Sequence, residues 1–510
     1  MGMLRFSEYK PIIYFVGSNS KCSSFKEAVL KLRISDSRNP NLVAANLGAG
    51  FLKERCVVKL KKACYLLGFA MLLSIAAGCE NDVVQNPPSA EVAEVSEVAQ
   101  QANQNVDNRS IILMNDNTND ERNLLLSEDI EYFGSWIAEN HKNPFENISE
   151  QEFEENIRVL SERVGELGNV EVFTEMKKIL ASIGDSHTDM NYWNGYIFPA
   201  VFEVFDGDLY IINAYESYED ALYTKVIGIN GHSISYIFEQ LATIIPHENE
   251  AWLFQMMPQY VQAPVYMQGL GLIPGEQSTS TVFTLEKENG DILEKEFDIY
   301  YHFQQDRPDY ILSYDEERHV YLYNSEREGY YWYTYLGGDD KAVYFKYNVC
   351  TDMNSLSFED FSREMFDEIK DKPVEKFIID LRHNAGGNSE IIRPFLQDLK
   401  DFIDDNPETE IFVAIGSQTY SSGLMALFYL ENEFSVTTIG QPTGGSPNAY
   451  GEVKSAELPN SKLPFHYSVK YFQFTDDGAK TVIPDVMVSP TIEDFKNNDD
   501  IVLKHIMDMV

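Results

Sequence analysis

A chain of 510 residues that is 44% hydrophobic carries enough apolar material for two to three domains with sizeable cores. Its 40 basic and 81 acidic residues leave a formal net charge of -41. That charge excludes nucleic acid as a partner, because the counterion release that drives such binding gives way to repulsion.

The first readable segment lies inside the chain. Lys59-Leu60-Lys61-Lys62, the apolar run Tyr65–Ala77 and then Gly78-Cys79 combine a basic stretch, an apolar core and small residues before a cleavage point. The core is shorter than the roughly 20 residues that a spanning helix needs, so residues 57–79 predict a secretory signal. With a cysteine directly after Ala76-Ala77-Gly78, the segment resembles a bacterial lipoprotein signal. Ala76 stands where such signals more usually carry Leu. The resemblance implies lipidation at Cys79, an extracytoplasmic location and membrane contact through the lipid. Residues 1–56 lack sustained periodicity and are expected to be an over-long start, the alternative being a cytoplasmic tail. Cys22, Cys56 and Cys64 would then be absent from the mature chain and Cys350 would stand alone, so no disulfide framework is expected.

Residues 80–120 are rich in Asn, Gln, Glu, Val and Ala around Pro87-Pro88 and predict a disordered tether. A helical region follows over 121–190. Ser149 with Glu152 forms a capping-box signature, and Phe153, Ile157, Leu160 and Val164 fall on one helical face. A second helix, Val172–Ile183, runs into Gly184-Asp185-Ser186-His187-Thr188, where a histidine is by default a surface or capping residue. Residues 191–328 read as β-rich, with hairpin turns at Asp206-Gly207 and Asn289-Gly290. Lys225–His232 and the apolar helix after it look like a reduced PDZ-type module; a plain β-sandwich subdomain is the alternative. Tyr330–Tyr335 suits either a saccharide-stacking surface or simple strand alternation.

From residue 329 to 510 the pattern becomes α/β. Strand Ala342–Cys350, helix Ser357–Lys370 and strand Lys376–Leu381 form a β-α-β unit. Phe377–Leu381 and Ile411–Ile415 are continuously apolar, as expected of parallel strands buried on both faces. The first empties into Asn384-Ala385-Gly386-Gly387 and the second into Ser421-Ser422, ahead of a helix over Gly423–Leu430. A hydroxyl at a strand-to-helix junction beside free backbone N–H groups is what acyl transfer needs. Either serine could equally cap the helix.

Asp380-Leu381-Arg382-His383-Asn384-Ala385-Gly386-Gly387 resembles the D-x-R-x-N-x-G-G signature of the tail-specific (C-terminal processing, tricorn-core, S41-type) serine peptidases. Thr419-Tyr420-Ser421-Ser422, Ile439–Gly445 and Ile483-Pro484-Asp485-Val486 resemble three further blocks of the same family. The resemblance implies a crotonase/ClpP-like α/β spiral core in 329–510, with Ser421 as nucleophile and an oxyanion held by the backbone of Ser422 and of Gly386 or Gly387. A PDZ-type module in such a chain can receive a substrate's carboxyl end. Where the processing branch carries its dyad lysine, this sequence has Ser446, and Leu424 stands near a position that is often Glu. Lys454 lies nearby but in strand-like surroundings that suit a surface role. The tricorn-type branch instead uses a Ser-His pair upstream of the catalytic domain, a place held here by Ser186 and His187, with His187 as base. Glu452, Asp476 and Asp477 are the candidate acids to orient it.

The nine histidines show no H-E-x-x-H spacing and no G-x-x-x-x-G-K-[ST] loop occurs. No metal, nucleotide or other cofactor is expected. Two functions remain: an exported serine peptidase acting on extracytoplasmic polypeptides, or an inactive relative that binds peptide ends or envelope partners through the same cleft. The oligomeric state is not legible.

Overall fold

The computed structural model describes residues 120–190, 192–275, 277–304, 308–312, 329–338 and 341–509, all within one unit. The N-terminal extension, the signal ending at Cys79 and all of the tether but Asp120 lie outside the described residues. Among the described residues, no helix is long and apolar enough to cross a membrane.

Three helices open the fold: α1 (Asp120–Asn140), α2 (Glu150–Arg163) and α3 (Asn169–Ile183). Leu126, Ile130, Phe133 and Ile137 recur at three- and four-residue steps, so α1 buries a single stripe. Ser149 caps α2 by accepting the Glu152 N–H at 3.2 Å. The core of these helices takes in Leu458, Phe465 and Tyr467 from a distant hairpin, so the helical region shares its core with the C-terminal part of the chain.

The middle of the chain builds one antiparallel sheet. A short β1 (Tyr196–Ile197) precedes β2 (Ala200–Phe205), β3 (Asp208–Ala214), β4 (Lys225–Ile229), β5 (His232–Ser233), β6 (Ser280–Glu286), β7 (Ile292–Asp298) and β8 (Tyr300–Tyr301). The strand order is β2-β3-β4-β6-β7, with β5 on β4, while β1 pairs with β8. Asp206 (φ 51°) and Gly207 (φ 83°) both take the left-handed region that a two-residue hairpin requires. Ile211, Phe283 and Phe297 pack against Ile237 and Leu241 of α4 (Ile234–Ala242) and Leu253, Met257 and Val261 of α5 (Glu250–Gln262); a short α6 (Pro264–Gly269) follows. Among the described residues of this region the sandwich alternative is thereby corrected: apart from the two-stranded β1–β8 ribbon there is one six-stranded sheet, and helices pack on it.

The C-terminal region is a six-stranded sheet, β16-β13-β12-β11-β10-β9. It comprises β9 (Tyr331–Leu336), β10 (Ala342–Tyr347), β11 (Lys376–Asp380), β12 (Glu410–Ile415), β13 (Val436–Gly440) and β16 (Val486–Met487). All neighbours run parallel except the edge strand β9. One face packs on α7 (Phe358–Ile369), α8 (Arg393–Asp405) and α9 (Ser422–Glu433), the other on α11 (Ile501–Asp508), which follows a short α10 (Ile492–Asn497). This is the α/β architecture expected from the apolar strands. Tyr331 and Tyr333 pack on Phe361 while Trp332 turns to Tyr344, so the aromatic run serves the two faces of a strand. A long hairpin, β14 (Asn448–Glu457) with β15 (Pro464–Gln473), reaches back to the N-terminal helices.

Candidate active site

Strands β11 and β12 are parallel neighbours, so the turns that follow them leave the same edge of the sheet. The turn after β11 is anchored by charge. Asp380 accepts from Arg382 Nη2 at 2.6 Å and pairs with buried Lys346 at 3.0 Å, and Arg382 reaches on to Asp500 at 2.9 Å. Burial alone would raise the Asp380 carboxyl, but the Arg382 and Lys346 charges outweigh it and hold it well below the carboxylate range. Beyond this anchor Asn384 Oδ1 accepts the Gly386 N–H at 3.0 Å. The Gly387 N–H makes no hydrogen bond among the described residues, nor does the Ser422 N–H at the start of α9. These two amides are the free donors at the site.

Ser421 joins the turn after β12 to α9 with φ 51° and ψ -127°, a conformation that costs a non-glycine residue about 1–3 kcal/mol. A strained strand-to-helix junction exposes a hydroxyl for attack. Its side chain makes no helix cap, so the capping alternative does not hold for Ser421. The neighbouring Ser422 hydroxyl donates to Gly387 O at 2.7 Å and ties the two turns together.

His187 arrives from the other end of the chain. Gly184 ends α3 in the left-handed conformation (φ 74°), and the turn that follows is clipped to β15 by paired backbone bonds between Asp189 and His466 of 3.2 and 2.8 Å. Buried Lys177 donates to Asp189 at 2.5 Å and to Met190 O at 2.8 Å. His187 Nε2 then lies 3.0 Å from Ser421 Oγ. Burial lowers the His187 pKa against the opposing pull of Asp185, which favours the neutral ring that a base requires.

Around that imidazole stand Ser186, which the sequence singled out, and other groups that it did not. Nδ1 meets the Tyr420 hydroxyl at 2.8 Å, and that hydroxyl meets Ser186 Oγ at 2.6 Å. The Ser186 N–H donates to Glu248 at 3.0 Å. Asp185 accepts from His141 Nε2 at 3.0 Å and lies 3.8 Å from His187 Nδ1. Burial raises Asp185, but bonds from His141 and Thr188 and the nearby histidines hold its carboxyl below the usual range. The corresponding expectation for Glu452 is corrected. That residue lies exposed on β14, 3.6 Å from Lys470, where strand geometry turns it to solvent. Asp476 and Asp477 are also exposed, bonded to Gln473 and to the Ala479 N–H. Ser446 donates to Asn448 O at 2.9 Å and Lys454 is exposed on β14, so neither supplies a dyad cation.

Asp185 could have been found from its place two residues before His187, but Glu248 and His141 had no local signal. Asp185, His187 and Glu248 offer ligand atoms within 4.8 Å of one another. Both imidazole nitrogens are already engaged, by Ser421 and Tyr420, so the cluster serves proton chemistry as it stands.

No family model and no curated protein matches the chain. Solved structures do. Mature CPAF complexed with lactacystin aligns at TM-score 0.53 and 11% identity over 76% of this chain and 97% of that one. A serine-to-alanine mutant of CPAF aligns at TM-score 0.54 and 10% identity over the same shares. The photosystem II D1 C-terminal processing protease gives 0.35 at 10% identity over 71% and 93%. The fold assignment rests on the CPAF structures: the described part of the chain shares their fold.

Proposed function

We propose that the protein is a serine peptidase that hydrolyses polypeptides through an acyl-enzyme. The observation that carries this reading is the 3.0 Å contact between His187 Nε2 and the hydroxyl of Ser421 at its strained junction. Ser421 Oγ attacks the scissile carbonyl carbon while its proton passes to His187 Nε2. The carbonyl oxygen, now an anion, is met by the Ser422 and Gly387 N–H groups. On collapse His187 returns the proton to the leaving amine, and water repeats the cycle to release the acid.

The test is labelling by a fluorophosphonate probe and peptide cleavage in wild type, Ser421→Ala and His187→Gln. Wild type should label at Ser421, and both variants should lose turnover while keeping their fold. Full activity in His187→Gln would remove the assigned base. A wild type that never acylates would favour the peptide-binding, inactive reading, which the intact geometry does not support.

The lipoprotein-type signal supports a second part of the proposal, that the enzyme acts outside the cytoplasm from a lipid on Cys79. One chain anchors only marginally, whereas several anchor stably. Cys79→Ala should therefore shift the protein from the membrane fraction to the soluble exported fraction; unchanged membrane association would remove the anchor.

A further inference from the structure

We propose that the cavity where the β1–β8 ribbon meets α6 is a binding site for a neutral saccharide, with Gln268 as its buried polar contact and Tyr196 as its stacking surface. The candidate active site touches the head of α5 through Glu248, whereas this cavity lies beyond the C-terminal end of the same helix, about 20 Å away. Binding there is a further function and stands apart from the peptidase reading.

One side chain carries the argument. Gln268 is 9% exposed and lines a cavity of about 400 Å³, a size within the range of small-molecule sites. Its backbone carbonyl accepts the Leu270 and Gly271 N–H groups, but its side-chain amide makes no hydrogen bond among the described residues. Buried polar groups without a partner are rare and destabilising, so an amide left this way at a cavity wall marks where a ligand completes it. The amide is also held in place. A Cβ on Gly269 would fall 1.9 Å from Thr174 Oγ1, so the glycine lets α6 lie directly on α3 and fixes Gln268 beside it.

The other walls define the ligand. Asn194 and Gln277 add two more amides, and Ser278 and Thr279 add two hydroxyls. Each of these groups both donates and accepts, as does every hydroxyl of a sugar. None of the described residues that line the cavity is charged, in a chain whose net charge of -41 repels anions. Neutral sugars are therefore favoured over acidic ones. At the rim the Tyr196 ring is 43% exposed and lies 5.4 Å from the equally exposed ring of Tyr301. A sugar lays its C–H face on such a ring while its hydroxyls turn to the amides. Tyr301 leads on to exposed Phe303 at 5.7 Å, so the aromatic surface continues past the cavity, as a longer saccharide chain requires.

A polypeptide fits this rim less well. A bound peptide strand pairs with backbone groups along an open edge. Here those groups are already engaged: the Tyr196 N–H donates to Asn194 Oδ1 at 3.3 Å, and the Tyr196 carbonyl accepts from Trp193 Nε1 at 3.1 Å. On the opposite wall the Thr279 carbonyl accepts the Ile299 N–H and the Ser278 N–H donates to the Gly275 carbonyl, both at 2.8 Å. Recognition falls to the side chains, and these suit hydroxyl groups.

The experiment exposes the full chain to an array of neutral oligosaccharides, uronic-acid oligosaccharides and uncharged peptides, and titrates the bound probes by calorimetry. Wild type and Ser421→Ala should bind neutral oligosaccharides alike, and the uronic ones more weakly. Gln268→Leu, which keeps the bulk and removes the amide, should raise Kd about tenfold, and Tyr196→Ala should do the same by removing the stacking ring. Both variants should keep the far-UV circular dichroism of wild type, and its kcat and KM on a peptide without sugar. An array on which no neutral oligosaccharide binds, or a Kd unchanged in both variants, would overturn the site. Binding of uncharged peptides that is lost in Gln268→Leu would also overturn it, in favour of a polypeptide exosite. Should Gln268→Leu fail to fold, Tyr196→Ala decides alone, since it alters an exposed ring. A glycan on the substrate and a free glycan offer the same chemistry. A saccharide-bearing peptide cleaved with a lower KM than its bare counterpart, in wild type but not in Gln268→Leu, would assign the first source; equal KM values beside retained binding would assign the second. Because binding is read without turnover, a wild type that never labels with fluorophosphonate would sink the peptidase reading separately.

Discussion

Gly386 shows how much of the site depends on a missing side chain. A Cβ there would lie 2.8 Å from Ser421 Cβ, 3.0 Å from Ser422 N and 3.2 Å from Ser421 Oγ, in the space an oxyanion needs. Its φ of 113° would also strain any side chain. Gly386→Ala is expected to lower kcat by about 100- to 1,000-fold, with far-UV circular dichroism unchanged; activity within tenfold of wild type would place the oxyanion elsewhere. Glu248 makes a stability prediction of opposite sign to that of most site carboxylates. Its pKa rises from 4.5 to about 7 on folding, so the folded state holds the proton more tightly, and stability falls as pH rises from 4.5 through 7. Glu248→Gln has no such charge to bury. It should be more stable than wild type by about 2–3 kcal/mol at pH 8, with the gain gone by about pH 4.5, as urea unfolding at the two pH values would show. His187 pulls the other way: its pKa is lowered on folding, so its neutral form favours the fold above 6.5 and that contribution is lost as pH falls.

The turn that carries His187 is only as fixed as the elements that grip it, α3 on one side and β15 on the other. Lys177 is the strongest link. Its side chain is 1% exposed, and its ammonium is paired with Asp189 at 2.5 Å and lies over the rings of Tyr260 and Tyr266 at 5.3 and 5.8 Å. Lys177→Met keeps the length of the side chain but leaves Asp189 without its cation and Met190 O without a donor. Breaking a buried pair in this way typically costs about 3–5 kcal/mol. Because Asp189 is partly exposed, the lower end is expected, read as a drop in urea midpoint at unchanged slope. The variant should also lose kcat, since the 3.0 Å contact between His187 and Ser421 depends on this turn. A stability loss with full kcat would show that β15 alone positions the histidine.

Across the molecule, the site gathers one group from each of three cores: His187 beyond the helical core, Glu248 at the head of α5 and Ser421 at the edge of the parallel sheet. That division decides what the sequence could disclose. The Asp206-Gly207 turn, the Ser149 cap and the buried strands β11 and β12 were legible because each is written in a few adjacent residues. Ser421, His187 and the glycine turn were legible through motif resemblance. Glu248 and His141 were not, since their partners Ser186 and Asp185 lie 62 and 44 residues away and only packing brings them together. Glu452 misled for the converse reason, lying near the catalytic motifs in sequence but facing solvent on its strand. A three-part site also predicts that no part works alone. Residues 329–509 contain the nucleophile and the oxyanion donors, yet lack His187, and their hairpin buries Leu458, Phe465 and Tyr467 in the core built by the N-terminal helices. Expressed separately, that fragment is expected to bind an apolar dye through the uncovered hairpin and to show no labelling by a fluorophosphonate, because an unassisted serine hydroxyl is a poor nucleophile. Labelling of the fragment at the rate of the full chain would mean that Ser421 draws its base from within the parallel sheet, and the role assigned to His187 would have to be given up.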